Sequence, residues 1–180
     1  MLAIVRCLQA RFLAALLVLF ACAASTTALE TNYFSLVLPE SFVQVKEEKN
    51  KDGLRGGLYA SAGKKKIVIL GYVDNEYKGP DRKTFEDVIE ELNAEADEGE
   101  EGDFFRGVKL EQQDCPCECE AYYREAVIEY KNDSPAWAYQ FLFKNENTRI
   151  VLSYVDGVSD YQASHAQMAD FIEQLKASGL

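Results

Sequence analysis

The hydrophobic period of this chain changes three times, and those changes constrain its fold more than any single motif does. Apolar residues recur at every second position from Tyr33 to Val73, and at every third or fourth from Pro80 to Glu98. Alternation returns after Gly107, and a helical stripe closes the chain from Ser159 onward. A period of two puts side chains on alternate faces of a strand, and a period near 3.6 puts them along one side of a helix. Two helical segments among seven or eight strands predict an α+β fold, with an antiparallel β-sheet packed by two amphipathic helices.

The strands read individually. "NYFSLVLP" sets Phe34, Leu36 and Leu38 against Tyr33, Ser35 and Val37, and Pro39 ends it. "SFVQVKEE" follows, then "GGLYASA" and "KIVILGYV" around the turn "GKK". The last is apolar on both faces, which places it near the sheet centre. In the first helix Phe85, Val88, Ile89 and Leu92 form one stripe, with Pro80 and Asp81 suited to its first turn. Residues 95–103, "EADEGEEGD", carry six carboxylates and two glycines. They lack the spacing of a calcium loop and read as a solvated acidic loop.

"GVKLEQQ", "EAYYREAVIEY", "WAYQFLF" and "RIVLSYV" are joined by turn-rich "KNDSP" and "KNEN", the pattern of an antiparallel meander. Trp137, Tyr139, Phe141 and Phe143 share one face, which either packs under a helix or lines a groove for a small apolar ligand. The closing helix places Tyr161, His165, Met168, Ile172 and Leu175 inward, with Ser159 and Gln162 as its capping box.

The first residues belong to a different physical problem. Arg6 and Arg11 precede the apolar run Phe12–Ala24, and small residues follow, the pattern of a secretory signal. The run is shorter than the roughly 20 residues a spanning helix needs. Residues 1–28 are therefore expected to be a signal peptide, cut after "TTA" or earlier after "ACA", leaving 29–180 as one domain. "LFAC" also resembles a lipoprotein processing box, with Cys22 the residue to be acylated, although Phe20 departs from that pattern. The expected location is outside the cytoplasm, periplasmic or extracellular, with membrane contact only through a lipid anchor.

Loss of Arg6 and Arg11 leaves 17 basic against 30 acidic residues, a formal charge of −13. Phosphate backbones repel such a polyanion, so nucleic acid is excluded as a partner. "KKK" at Lys64–Lys66 reads as a solubilising turn.

The opening "FSLVLPESF", the closing "ADFIEQLKAS" and the element order between them resemble the Mog1/PsbP-like family, including exported bacterial DcrB-type members. The resemblance spans residues 32–178. It implies a binding or assembly role with an envelope protein as partner, and it transfers no catalytic residue. The acidic insert and the cysteine run are not features of that family.

The residues themselves argue against an enzyme. Hydrolytic and acid–base mechanisms lean on histidine, and the chain has one, His165, on the apolar stripe of the last helix. "RGG" at Arg55–Gly57 lacks the spacing and the following helix of a phosphate loop. Chemistry is left to "CPCEC", where Cys115, Cys117 and Cys119 alternate. In an extended chain neighbouring cysteines stand about 6.6 Å apart, at the edge of disulfide range, while a Cys115–Cys119 bridge requires the chain to bend. Alternatively the three thiolates gather Cu(I) or Zn²⁺, with His165, a carboxylate or a partner's group as fourth ligand, or they join a second copy or remain thiols. Asp114, Glu118 and Glu120 raise the thiol pKa and disfavour a nucleophilic cysteine. The expected function is a non-catalytic exported binding or assembly module. The alternatives are a soft-metal or redox-responsive protein built on the CPCEC run, and a carrier of a small apolar ligand.

Overall fold

A computed structural model describes residues 27–39, 41–49, 54–61, 63, 65–74, 84–98, 104–115, 118–128 and 135–177. Most of the expected leader, with Cys22, lies outside the described residues, as do Pro80, Asp81, Cys117 and residues 99–103 of the acidic loop.

Two short strands, β1 (Thr27–Glu30) and β2 (Ser35–Leu38), form an antiparallel hairpin. Thr31 shapes its turn: its hydroxyl accepts from the Tyr33 and Phe34 amides at 3.1 and 2.9 Å. Thr27 and Ala28, expected to leave with the signal, are here part of β1, and Thr27 Oγ1 donates to the Phe42 carbonyl. Seven further strands make the main sheet: β3 (Phe42–Lys49), β4 (Leu54–Ser61), β5 (Lys66–Asp74), β6 (Glu111–Gln113), β7 (Glu120–Ile128), β8 (Ala136–Lys144) and β9 (Thr148–Asp156). Their spatial order is β3-β4-β5-β9-β8-β7-β6, and each neighbouring pair is antiparallel. The sheet is therefore the α+β architecture expected, with β5 next to the central strand.

The glycines of "RGG" serve packing. Gly56 faces Gly71 across the β4–β5 ladder, and a Cβ on Gly56 would overlap the Leu70 carbonyl.

Helix α1 (Phe85–Glu98) is capped by Thr84, whose hydroxyl accepts from the Asp87 amide at 3.1 Å while the Asp87 carboxylate accepts from the Thr84 amide at 2.7 Å. This reciprocal pair closes the first turn. The helix takes in Glu95–Glu98, four of the residues expected in the acidic loop. Helix α2 (Tyr161–Ala177) begins on Asp160, whose carboxylate accepts from the Ala163 amide at 2.8 Å. Asp160, and not Ser159, is thus the cap. Ser159 is engaged elsewhere, its carbonyl by Trp137 Nε1 and its hydroxyl by Lys66 Nζ.

The helices lie on opposite faces of the sheet. On one face α2 and the β1–β2 hairpin cover Tyr139, Phe141, Phe143, Ile150, Leu152 and Tyr154 with Phe34, Leu36, Met168, Phe171 and Leu175. On the other, α1 sets Phe85, Val88, Ile89 and Leu92 against Leu110, Tyr122, Leu142 and Val151. Strand β8 feeds both cores, which is why it is buried along nearly its whole length.

Candidate functional site

The three-cysteine run lies in the β6–β7 connection. Glu111 pairs with Tyr123 and Gln113 with Ala121, so the chain reverses direction between them. That reversal brings Cys115 and Cys119 to a Cα separation of 5.8 Å, and they form a disulfide. The bend that an extended reading lacked comes from the hairpin itself, so the bridge joins the outer pair and not neighbours two apart. Two of the three sulfurs expected as metal ligands are consequently bonded to each other, and disulfide sulfur is not the thiolate a soft metal requires. Among the described residues no group of three or more His, Cys, Asp or Glu side chains is placed to hold a metal ion.

Both bridged cysteines are half-buried against the main core. Beside them a cavity of about 350 Å³ opens between the hairpin and α2. Ala121, Phe141 and Ile172 supply apolar surface there, while Gln113, Asp114, His165, Glu173 and Lys176 supply polar groups.

His165 was expected on the buried stripe, but its side chain is about half exposed. The buried line of α2 is Ser164, Met168, Phe171 and Leu175, rotated from the expected one, and Tyr161 is 40% exposed. Ser164, a small residue, is fully buried on this line. His165 then meets Glu125, its Nδ1 3.4 Å from Oε2. Tyr123 and Tyr161 each donate a phenol hydrogen to the same carboxylate, both at 3.0 Å. Burial and the adjacent Glu125 charge push the Tyr123 phenol far above its ordinary value, and the Glu125 bond raises that of Tyr161. These phenols hold their protons at neutral pH, so the cluster is a hydrogen-bonded clasp between β7 and α2. Its members were legible only as pairs: Tyr123 and Glu125 two apart on a strand, Tyr161 and His165 four apart on a helix.

The aromatic row of β8 is closed. Tyr139, Phe141 and Phe143 are buried beneath α2, and only Trp137, at the end, is partly exposed. The groove required for an apolar carrier along that face is filled by the protein's own helix.

Two buried charges are structural. Asp156 is fully buried; it accepts from Tyr154 Oη at 2.7 Å and from the Val158 and Ser159 amides at 2.9 and 3.0 Å, with Lys66 Nζ at 3.1 Å. Burial pushes its carboxyl up, but the Tyr154 hydroxyl and the two amides outweigh this and hold it at about 2. Arg124 spans β7 and the α1 side: Nε donates to Gln140, and one terminal nitrogen donates to the carbonyls of Leu92 and Val108. Its guanidinium lies 4.2 Å from the Phe105 ring centre.

No family profile matches the chain, and comparison with curated proteins gives no match. Comparison with solved structures gives a likeness to cyanobacterial PsbP (CyanoP) from Synechocystis sp. PCC 6803, covering 84% of this chain and 92% of that one. The TM-score is 0.55 at 12% identity. At that identity the likeness is one of fold, and in fold the chain is a PsbP-like α+β domain.

Proposed function

We propose that this chain is a non-catalytic binding or assembly module, exported to the cell envelope, whose partner is another envelope protein. The observation that carries this reading is the sealed interior. The aromatic row lies under α2 and is reached only by surface clefts that Phe141, Tyr139 and Trp137 line, so the fold offers partners its surface. The shared fold with cyanobacterial PsbP and the disulfide, a bond favoured outside the cytoplasm, support the same reading. The best-suited surface surrounds Trp137, where Phe104, Val127 and Tyr161 are exposed beside Arg106 around a cavity of about 280 Å³. Aromatic residues and arginine dominate the energetics of protein interfaces.

The test uses the full chain in cells. A photo-crosslinking residue replaces Val127 in one strain and Ile69, exposed on a remote strand, in another. Expected are a leader-free mass in the envelope fraction and a discrete adduct from position 127 alone. Full-length mass in the cytosol, or the same adducts from both positions, would overturn the reading.

A further inference from the structure

Strand β6 is weakly tied to the rest of the protein. It has three residues, all exposed, and among the described residues it pairs on one side only, with Ala121–Tyr123. The chain just before it is anchored: Leu110 is buried, and its amide donates to Asn93 on α1 at 2.9 Å. Past that anchor, Cys115 and Cys119 are the residues of the hairpin end that pack on the main core. Gln113 and Asp114, between the anchor and the bridge, form the hairpin side of the cavity that α2 closes with His165, Glu173 and Lys176. The α2 side is fixed through Met168, Phe171 and Leu175.

We propose that the Cys115–Cys119 bridge is a redox latch. Reduction by a dithiol frees residues 111–115 and 118–119 from the sheet edge, with Leu110 as the pivot, and opens the outer wall of this cavity while the remaining sheet stays folded. Both bridged cysteines are partly exposed residues, at the surface end of the core, which gives a small reductant its approach. One thiolate of the dithiol attacks a bridge sulfur, and the other cysteine leaves as a thiolate that takes a proton. The second reductant thiolate then attacks the mixed disulfide, releasing the second cysteine. The dithiol ends as a disulfide, having supplied two electrons, and the protein ends with two thiols. Elements that open locally are those with few buried contacts, and β6 fits that description. The latch does not depend on the binding-module reading.

Amide hydrogen exchange of the full-length protein, read with and without a small dithiol, tests it. Reduction is expected to speed exchange at Glu111–Gln113 and Ala121–Tyr123 by about tenfold or more. Exchange in β8, β9 and Met168–Leu175 is expected to stay within about twofold. A Cys115→Ser, Cys119→Ser variant without reductant should show the same local pattern. Unchanged exchange at the hairpin on reduction overturns the latch, as does acceleration throughout the molecule. Peptide mapping that shows the native protein lacks a Cys115–Cys119 bond also overturns it.

Discussion

The two faces of the sheet solve the same burial problem with different chemistry. Under α2 the core is large and almost wholly apolar: Phe141, Phe143, Ile150, Leu152, Met168 and Phe171 meet there, and the polar knot at Asp156 sits at its end. Under α1 the apolar set is small, and next to it lies the buried Arg124–Gln140–Ser153 chain of hydrogen bonds. Hydrophobic burial is non-directional and tolerates adjustment, whereas a buried guanidinium requires its acceptors in place. The α2 face therefore supplies the bulk of the stability, and the α1 face fixes how helix, loop and β7 are aligned.

The largest effect expected breaks the first face. Phe171→Ala removes a fully buried ring from the main core and should cost about 4 kcal/mol in urea unfolding. The matching change Phe85→Ala, in the smaller cluster, should cost about 3 kcal/mol. If Phe85→Ala proves as damaging as Phe171→Ala, the two cores are not unequal in the way described.

The second prediction concerns the polar chain. Arg124→Ala strands the Gln140 oxygen and the Val108 carbonyl and removes the side-chain bond to the Leu92 carbonyl, and should cost about 3 kcal/mol. Replacing both partners by apolar groups, Arg124→Met with Gln140→Leu, removes the stranded Gln140 oxygen but also deprives Ser153 Oγ of its Gln140 donor, so it should restore only part of that loss. A double variant no better than the single one would mean that the arginine's packing on Phe105 matters more than its hydrogen bonds.

The smallest effect is a pH dependence confined to the α2 side. The Asp156 carboxyl titrates at about 2 in the folded protein, below its ordinary 3.8. A carboxyl depressed on folding stabilises above its unfolded pKa and loses that contribution as pH falls through the folded one. About 2 kcal/mol should thus be present above pH ~4 and vanish between about pH 4 and pH 2. Asp156→Asn should lack this acid-induced loss in a pH series of unfolding curves. An identical acid limb in both proteins would assign the transition to other carboxylates.

Much of this architecture was legible in the sequence because burial leaves a period. Phe85, Val88, Ile89 and Leu92 all reach the core predicted for them, and Tyr139, Phe141 and Phe143 lie under a helix as their alternation implies. What stayed hidden depends on partners distant in sequence. The disulfide follows from the β6–β7 register, which fixes where the chain turns, and spacing alone cannot supply that. The rotation of α2 buries a small polar residue, Ser164, which an apolar period does not mark. The role of Arg124 carries no sequence signal, because two of its acceptors are main-chain carbonyls of Leu92 and Val108, which no side-chain pattern marks. Strand β1 was obscured by the apolar leader before it.

The order of strands also bears on how the molecule assembles in time. Within the main sheet every ladder except one joins strands that follow each other in the chain; only β5–β9 stitches the early meander to the late one, pairing Lys66 with Asp156 and Asp74 with Thr148. Each meander gains contacts from short loops, whereas the seam must first close a long intervening stretch. The seam is therefore the pairing expected to form last. Because closure entropy rises only with the logarithm of length, doubling that stretch adds about 0.6 kcal/mol, so the acidic connector is a place where this chain can gain or lose residues cheaply.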